Sequence, residues 1–169
     1  MENIMLLIVL MVCMITDLKS RKIYNKVTIP TILFGLINNS LGLGLDGFLF
    51  SSKGLLTGLG LLFIPFVLGG IGAGDVKLLA AIGSVKGSIF VLNSFLYGAV
   101  IGGIIAFVIM VRRGILIDFV RRVIYSIILL KATQGSLNLS KEDNLALGLP
   151  YGVAIALGTA CTYFLGGLL

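Results

Sequence analysis

Asp17 and Asp75 are the residues of this sequence best placed to do chemistry. Each lies at one end of an apolar segment, where an ionisable side chain is costly and needs a functional or a pairing explanation. Two carboxyl groups brought together there would share one proton, because like charges about 3 Å apart do not both ionise readily. Such a pair is an acid and a base at once, and it could activate water for attack on a peptide carbonyl.

A structural role is the alternative for these two aspartates. Nearby cations could neutralise them in salt bridges, and the candidates are Lys19, Arg21 and Lys77. The spacing alone leaves both explanations open. The other acidic residues lie at a terminus, in predicted loops or beside arginines, and they are Glu2, Asp46, Asp118, Glu142 and Asp143.

The chain contains no histidine, and this excludes several hydrolase mechanisms. A zinc metalloprotease with an HExxH motif, a Ser-His hydrolase and a Cys-His hydrolase all need that residue. Cys13 and Cys161 lie in apolar segments without the spacing of a metal or redox motif. We therefore interpret both cysteines as small apolar core residues.

The composition indicates that the elements carrying Asp17 and Asp75 lie in a membrane. Hydrophobic residues make up 58% of the chain and charged residues 12%, with a mean hydropathy of +1.13. A soluble fold of this length could not bury so much apolar surface. We predict one polytopic membrane domain over residues 1–169. The cations that give the net charge of +6 flank apolar segments, which favours anionic lipid over nucleic acid as their partner.

Seven apolar segments predict an all-α integral membrane protein. They cover residues 4–16, 27–45, 54–71, 76–86, 89–111, 115–130 and 145–169. In the stretch 115–131, charged and polar side chains recur at helical spacing along one face, which predicts an amphipathic helix on the cytoplasmic surface. The expected fold is a bundle of about six transmembrane helices plus this surface helix, with turns near 46–53 and 86–88.

The distribution of cations predicts the orientation of the bundle. With both termini outside, the inner loops hold all of the 13 lysines and arginines except Lys53 and Lys86, as the positive-inside rule requires. Asp17 and Asp75 then face the cytoplasm from a multi-pass protein of the cell membrane. The segments 4–16 and 76–86 are too short for a hydrocarbon core of about 30 Å. We therefore expect both helices to end early, with the aspartates on irregular backbone in a water-filled recess.

Three motifs resemble those of a known family. The sequence GAGDVKLLAAIG at 72–83 is the most specific, since two glycines directly before an aspartate leave room for a substrate strand. It is joined by D-x5-I-x-N, formed by Asp17, Ile23 and Asn25, and by LPYGVAIALG at 149–158. Together they resemble the type IV prepilin peptidases, which are GxGD-type aspartic membrane proteases.

The resemblance implies a function and a set of site residues. Members of this family remove a short basic leader from prepilin or pseudopilin precursors at the cytoplasmic membrane face, without a metal or an organic cofactor. Asp17 and Asp75 carry over as the catalytic pair. The motif and substrate-site neighbours that carry over are Gly72, Gly74, Lys77 and Asn25.

The sequence departs from the family pattern in three places. Tyr24 and Val153 stand where proline is frequent in the family. Between Asp17 and Lys26 there is only a short loop without CxxC pairs, so the resemblance is to the short form that lacks the methyltransferase insertion. The rival hypothesis is a small non-enzymatic membrane protein, or a proton- or cation-coupled transporter with the two aspartates as ion ligands. The acids at one face and the lack of internal symmetry favour the peptidase.

Overall fold

The computed structural model of the chain describes residues 2–114, 121 and 151–166. These residues hold five helices, α1 Glu2–Ser20, α2 Asn25–Val67, α3 Ala73–Lys86, α4 Ser88–Arg112 and α5 Tyr151–Leu165. The prediction of an all-α protein is therefore confirmed for the described part of the chain. The predicted surface helix 115–131 lies outside the described residues, apart from position 121.

Three of these helices, α1, α2 and α4, are long and apolar enough to cross a membrane, and α5 is a shorter apolar helix. The chain is thus a membrane protein, and its described part is all-α. It forms two compact units, one made of Met1–Gly102 with Pro150–Leu169 and the other of Gly103–Leu149. Every residue of the site described below belongs to the first unit.

Helix α2 is bent back on itself at Gly44. This glycine has φ 61° and ψ −134°, a conformation that side chains with a Cβ rarely adopt. Ser51 Oγ donates to the Gly35 carbonyl at 3.1 Å across 16 residues, which a straight helix would hold about 24 Å apart. The two arms, 25–43 and 45–67, therefore run antiparallel. The predicted turn at 46–53 is wrong, because the backbone reverses at Gly44 and those residues are helical.

Helix α3 packs against both arms of α2 through contacts that only glycine permits. In the first arm, a Cβ at Gly35 would lie 2.7 Å from the Ser84 carbonyl oxygen. In the second arm, a Cβ at Gly54 would lie 1.9 Å from the Gly83 carbonyl oxygen, and one at Gly58 would lie 2.5 Å from that of Leu79. Every residue of α3 from Asp75 to Val85 is buried except Lys77, which is partly buried. Small residues are the usual means by which membrane helices approach this closely. Helix α3 is thus a short helix that its neighbours enclose.

Polar contacts join the C-terminal end of α3 to the N-terminal end of α1. Lys86 Nζ lies 3.6 Å from Glu2 Oε2 and also donates to Asn3 Oδ1. Asn38 in the first arm of α2 donates to the same Glu2 carboxylate. We call Glu2, Asn3, Asn38 and Lys86 the polar clasp. Because the clasp joins the start of one helix to the end of the other, the opposite ends, which carry Asp17 and Asp75, lie on the same side.

The structure corrects the backbone predicted around the aspartates. Helix α1 does not end at Thr16 but continues to Ser20, and the Arg21 N–H donates to the Asp17 carbonyl at 2.8 Å. Asp75 lies in the first turn of α3. Both aspartates are therefore helical. The helices were predicted to end where the apolar residues end. That boundary marks the limit of the apolar surface, whereas the helical hydrogen bonds continue through the polar residues beyond it.

Other predicted boundaries agree with the structure. Helix α4 covers the apolar segment 89–111. It is separated from α3 by Gly87, whose φ of 84° gives the turn predicted at 86–88. Cys13 is a core residue with 1% of its surface exposed, as predicted, whereas Cys161 is only partly buried. Both are free thiols.

The glycine contacts of α2 with α3 predict a difference between two substitutions in the same arm. Gly54→Ala should lower the free energy of unfolding by about 1–3 kcal/mol, because its Cβ meets the Gly83 backbone. Gly60→Ala is the control, since nothing lies within 4 Å of a Cβ there, and it should be neutral or slightly stabilising. Unfolding in detergent measures both, and equal effects of the two changes would contradict the packing.

Candidate functional site

Asp17 and Asp75 line the same cavity, at the end of the first unit opposite the polar clasp. The cavity has a volume of about 360 Å³ and is lined by Asp17, Arg21, Lys22, Ile23, Tyr24, Asn25, Gly72, Ala73, Gly74 and Asp75. Asp17 and Asp75 are exposed over only 6% and 9% of their surfaces. Four parts of the chain thus line the cavity, namely the end of α1, the connection 21–24, the start of α2 and the start of α3 with the residue before it.

Asp75 is held by the first turn of α3. Its N–H donates to the Gly72 carbonyl at 3.1 Å, and its Oδ2 would lie 3.3 Å from a Cβ at position 72. Asp75 is buried in the same cavity as Asp17, and each negative charge disfavours ionisation of the other carboxyl group. Two carboxyl groups that influence each other in this way can hold one proton between them.

Asp17 is held from the opposite side by α5. The Val153 N–H donates to Asp17 Oδ2 at 3.3 Å. A Cβ at Gly152 would lie only 2.8 Å from the same oxygen, so the close approach of α5 depends on a glycine. Neither residue was assigned a role from the sequence. The signals for them were the LPYG part of the third motif and the valine that stands where proline is frequent, since only a residue other than proline has an N–H to donate.

The two glycines of the GAGD sequence act mainly through the space they leave. Gly72 precedes α3 with φ −76°, an ordinary value for any residue, so conformational freedom is not its reason. A Cβ at Gly74 would lie 2.9 Å from the Cβ of Ile23. Gly74 therefore lets the connection 21–24 pack directly on α3. This contact closes the side of the cavity near Asp75.

Asn25 and Lys77 contact each other beside the cavity. Lys77 Nζ donates to Asn25 Oδ1 at 2.9 Å, which ties the start of α2 to the second turn of α3. Asn25 lines the cavity, whereas Lys77 does not. The sequence could not predict this contact, because the two residues are distant along the chain.

The salt-bridge explanation of the aspartates finds no support in the described residues. The one ion pair within 4 Å among them joins Lys86 to Glu2. Lys77 is engaged with Asn25, and Arg21 acts on Asp17 only at longer range. The same residues include no group of three or more His, Cys, Asp or Glu side chains that could hold a metal ion. The two carboxyl groups, a confined cavity and backbone donors are what the site offers for chemistry.

The model of the type IV leader peptidase family matches residues 4–107 of the chain. The chain belongs to this family. The match includes Asp17, Asp75 and the GAGD sequence, and membership implies that the protein is a protease. It confirms the family suggested by the motifs. Comparison with curated proteins and with solved structures gives no significant match. Helix α5 lies outside the matched segment, so its contact with Asp17 is a finding of the structure.

Proposed function

We propose that this leader peptidase is an aspartic endopeptidase that removes the short basic leader from prepilin or pseudopilin precursors at the cytoplasmic membrane face. The observation that carries the proposal is the meeting of Asp17 and Asp75 in one cavity, although the two residues come from different helices. Their burial and mutual charge effect are the conditions under which a carboxyl pair keeps one proton.

Peptide hydrolysis follows from such a pair. The ionised carboxylate takes a proton from water as the water oxygen bonds to the scissile carbonyl carbon. The protonated carboxyl group donates its hydrogen bond to the carbonyl oxygen, where negative charge develops. When the carbon–nitrogen bond breaks, the leaving amine receives the proton taken from water. Two carboxyl groups suffice for these steps.

The neighbouring motif residues support this chemistry by shaping the cavity. Gly72 and Ala73 are exposed at its edge and present little side-chain volume to an approaching peptide backbone. The hydrogen bond from Lys77 to Asn25 fixes the start of α2 against α3. We therefore assign Asn25 and Lys77 to the positioning of the site, and Gly72 and Gly74 to access and packing.

We further propose six membrane crossings with both termini outside. The two arms of α2 are two of these crossings. The other four are α1, α3, α4 and the segment that contains α5. Arg21 and Lys22 at the cavity are then cytoplasmic, as are most cations of the chain, and they face anionic lipid headgroups. The rival function of an ion-coupled transporter has no specific observation in its favour. The aspartates lie at helix ends beside a cavity, whereas a transporter site is expected near the bilayer midplane.

Replacement of either aspartate tests the catalytic pair. Asp17→Asn and Asp75→Asn keep nearly the same side-chain volume but remove the titrating proton, so each should abolish leader cleavage while the protein still folds. Asp46→Asn is the matched control and should cleave normally. The measurement is co-expression with pilin-like precursors, followed by mass determination of their N-termini. Because a pair acts as one unit, the double variant should be no worse than either single one.

Two results would contradict the aspartic mechanism. One is native-site leader removal by either asparagine variant at a substantial rate. The other is a loss of stability of about 3–5 kcal/mol in these variants, which is the effect of breaking a buried ion pair. A catalytic pair predicts the opposite sign for stability, since a buried charge is removed.

Cysteine labelling tests the proposed topology. In a protein carrying Cys13→Ala and Cys161→Ala, Asp46→Cys should react with an impermeant maleimide from the outer side. Lys22→Cys, beside the cavity, should react only from the cytoplasmic side. Labelling of position 46 from the cytoplasm alone would reverse the orientation and remove the proposed access of precursors to the site.

A further inference from the structure

The first turn of α5 contributes donors to the site that the aspartate motifs do not explain. The Val153 N–H donates to Asp17 Oδ2 at 3.3 Å, and the Gly152 N–H acts on the same carboxyl group. Amide groups in the first turn of an α-helix have no acceptor within the helix. Helix α5 thus directs its otherwise unused N–H groups, at the positive end of its dipole, to one of the two aspartates.

Gly152 is the residue that makes this contact possible. A Cβ at this position would lie 2.8 Å from Asp17 Oδ2 and 3.0 Å from the Cδ1 of Ile23. Any larger residue would force α5 or the carboxyl group to move. The glycine therefore sets how near the helix end comes to Asp17.

The surroundings of Asp17 favour its ionised form. Asp17 accepts the Val153 N–H of a second helix, and the positive charge of Arg21 also acts on it. Hydrogen bonds and positive charge both favour an ionised carboxylate. The repulsion between Asp17 and Asp75 acts equally on both carboxyl groups.

We propose that the first turn of α5, through the Val153 N–H, holds Asp17 in place and stabilises its ionised form. This inference rests on the peptidase function proposed above. In this form Asp17 can accept the proton of the attacking water and pass it to the leaving amine. Val153 is a positioning residue, because it acts through Asp17.

Other titratable groups near Asp17 must stay unchanged in the test. They are Asp75 on α3, Arg21 and Cys13 on α1 or directly after it, and Lys22 and Tyr24 in the connection that lines the cavity. A replacement confined to the amide of Val153 meets this condition. Replacing Val153 by 2-hydroxy-3-methylbutanoate during translation keeps the side chain and exchanges the N–H for an ester oxygen.

The experiment measures cleavage of a pilin-like precursor against pH, with the protein in lipid nanodiscs. In the resulting plot of cleavage rate against pH, the rise on the acid side reports the ionisation that creates the active pair. We call this rise the acid limb, and its midpoint belongs to the pair as a whole. Loss of a hydrogen bond to a carboxylate should move this limb to higher pH by about one unit. Val153→Ala retains the N–H, so its acid limb should coincide with that of the wild type.

An ester variant whose acid limb coincides with the wild-type limb would overturn the inference and leave the peptidase function intact. A wild-type protein that cleaves no precursor at any pH would instead remove the proposed function. Infrared titration of isotope-labelled Asp17 in the Asp75→Asn protein gives a readout that needs no activity. In the Asp75→Asn protein, the ester replacement should raise the pH at which half of Asp17 is ionised. An unchanged midpoint of this titration would refute the role of α5.

Discussion

The enclosure of α3 between the two arms of α2 is the packing constraint on which the site depends. Contacts between backbones at Gly54 and Gly83, and between Gly58 and Leu79, leave no space for side chains. Close packing of this kind fixes the position of a helix along its axis, because a shift would bring larger neighbours against the same surfaces. Asp75, in the first turn of α3, is thereby held at a fixed depth in the unit.

The second aspartate is brought to Asp75 by contacts at both ends of α1. The polar clasp ties Glu2 and Asn3 to Lys86 at one end, and α5 contacts Asp17 at the other. The clasp is partly exposed, so its ion pair contributes modestly to stability. Its main consequence is geometric, since it sets the register of α1 against α3. The packing of whole helices therefore brings the two carboxyl groups into one cavity.

Sequence reasoning reached the helical class and the two aspartates but not the contacts around them. Asp17 and Asp75 could be singled out because ionisable residues beside apolar segments are rare and the chain lacks histidine. The turn in α2 was predicted two or more residues too late in the chain, because the charged Asp46 resembled a loop residue. The backbone reverses instead at Gly44, whose positive φ favours glycine. The donor role of Val153 was missed, although a signal was present. Valine stands where proline is frequent in the family, and proline has no N–H to donate.

Proximity of the two aspartates is the central claim, and cross-linking measures it directly. Asp17→Cys and Asp75→Cys would be combined in a protein without Cys13 and Cys161, treated with a short bis-maleimide in lipid nanodiscs and digested. Mass spectrometry should detect a peptide that links positions 17 and 75, and none in a control that pairs Asp46→Cys with Asp75→Cys. Failure to link 17 with 75, while a monofunctional maleimide modifies both cysteines, would contradict a shared site and with it the aspartic mechanism.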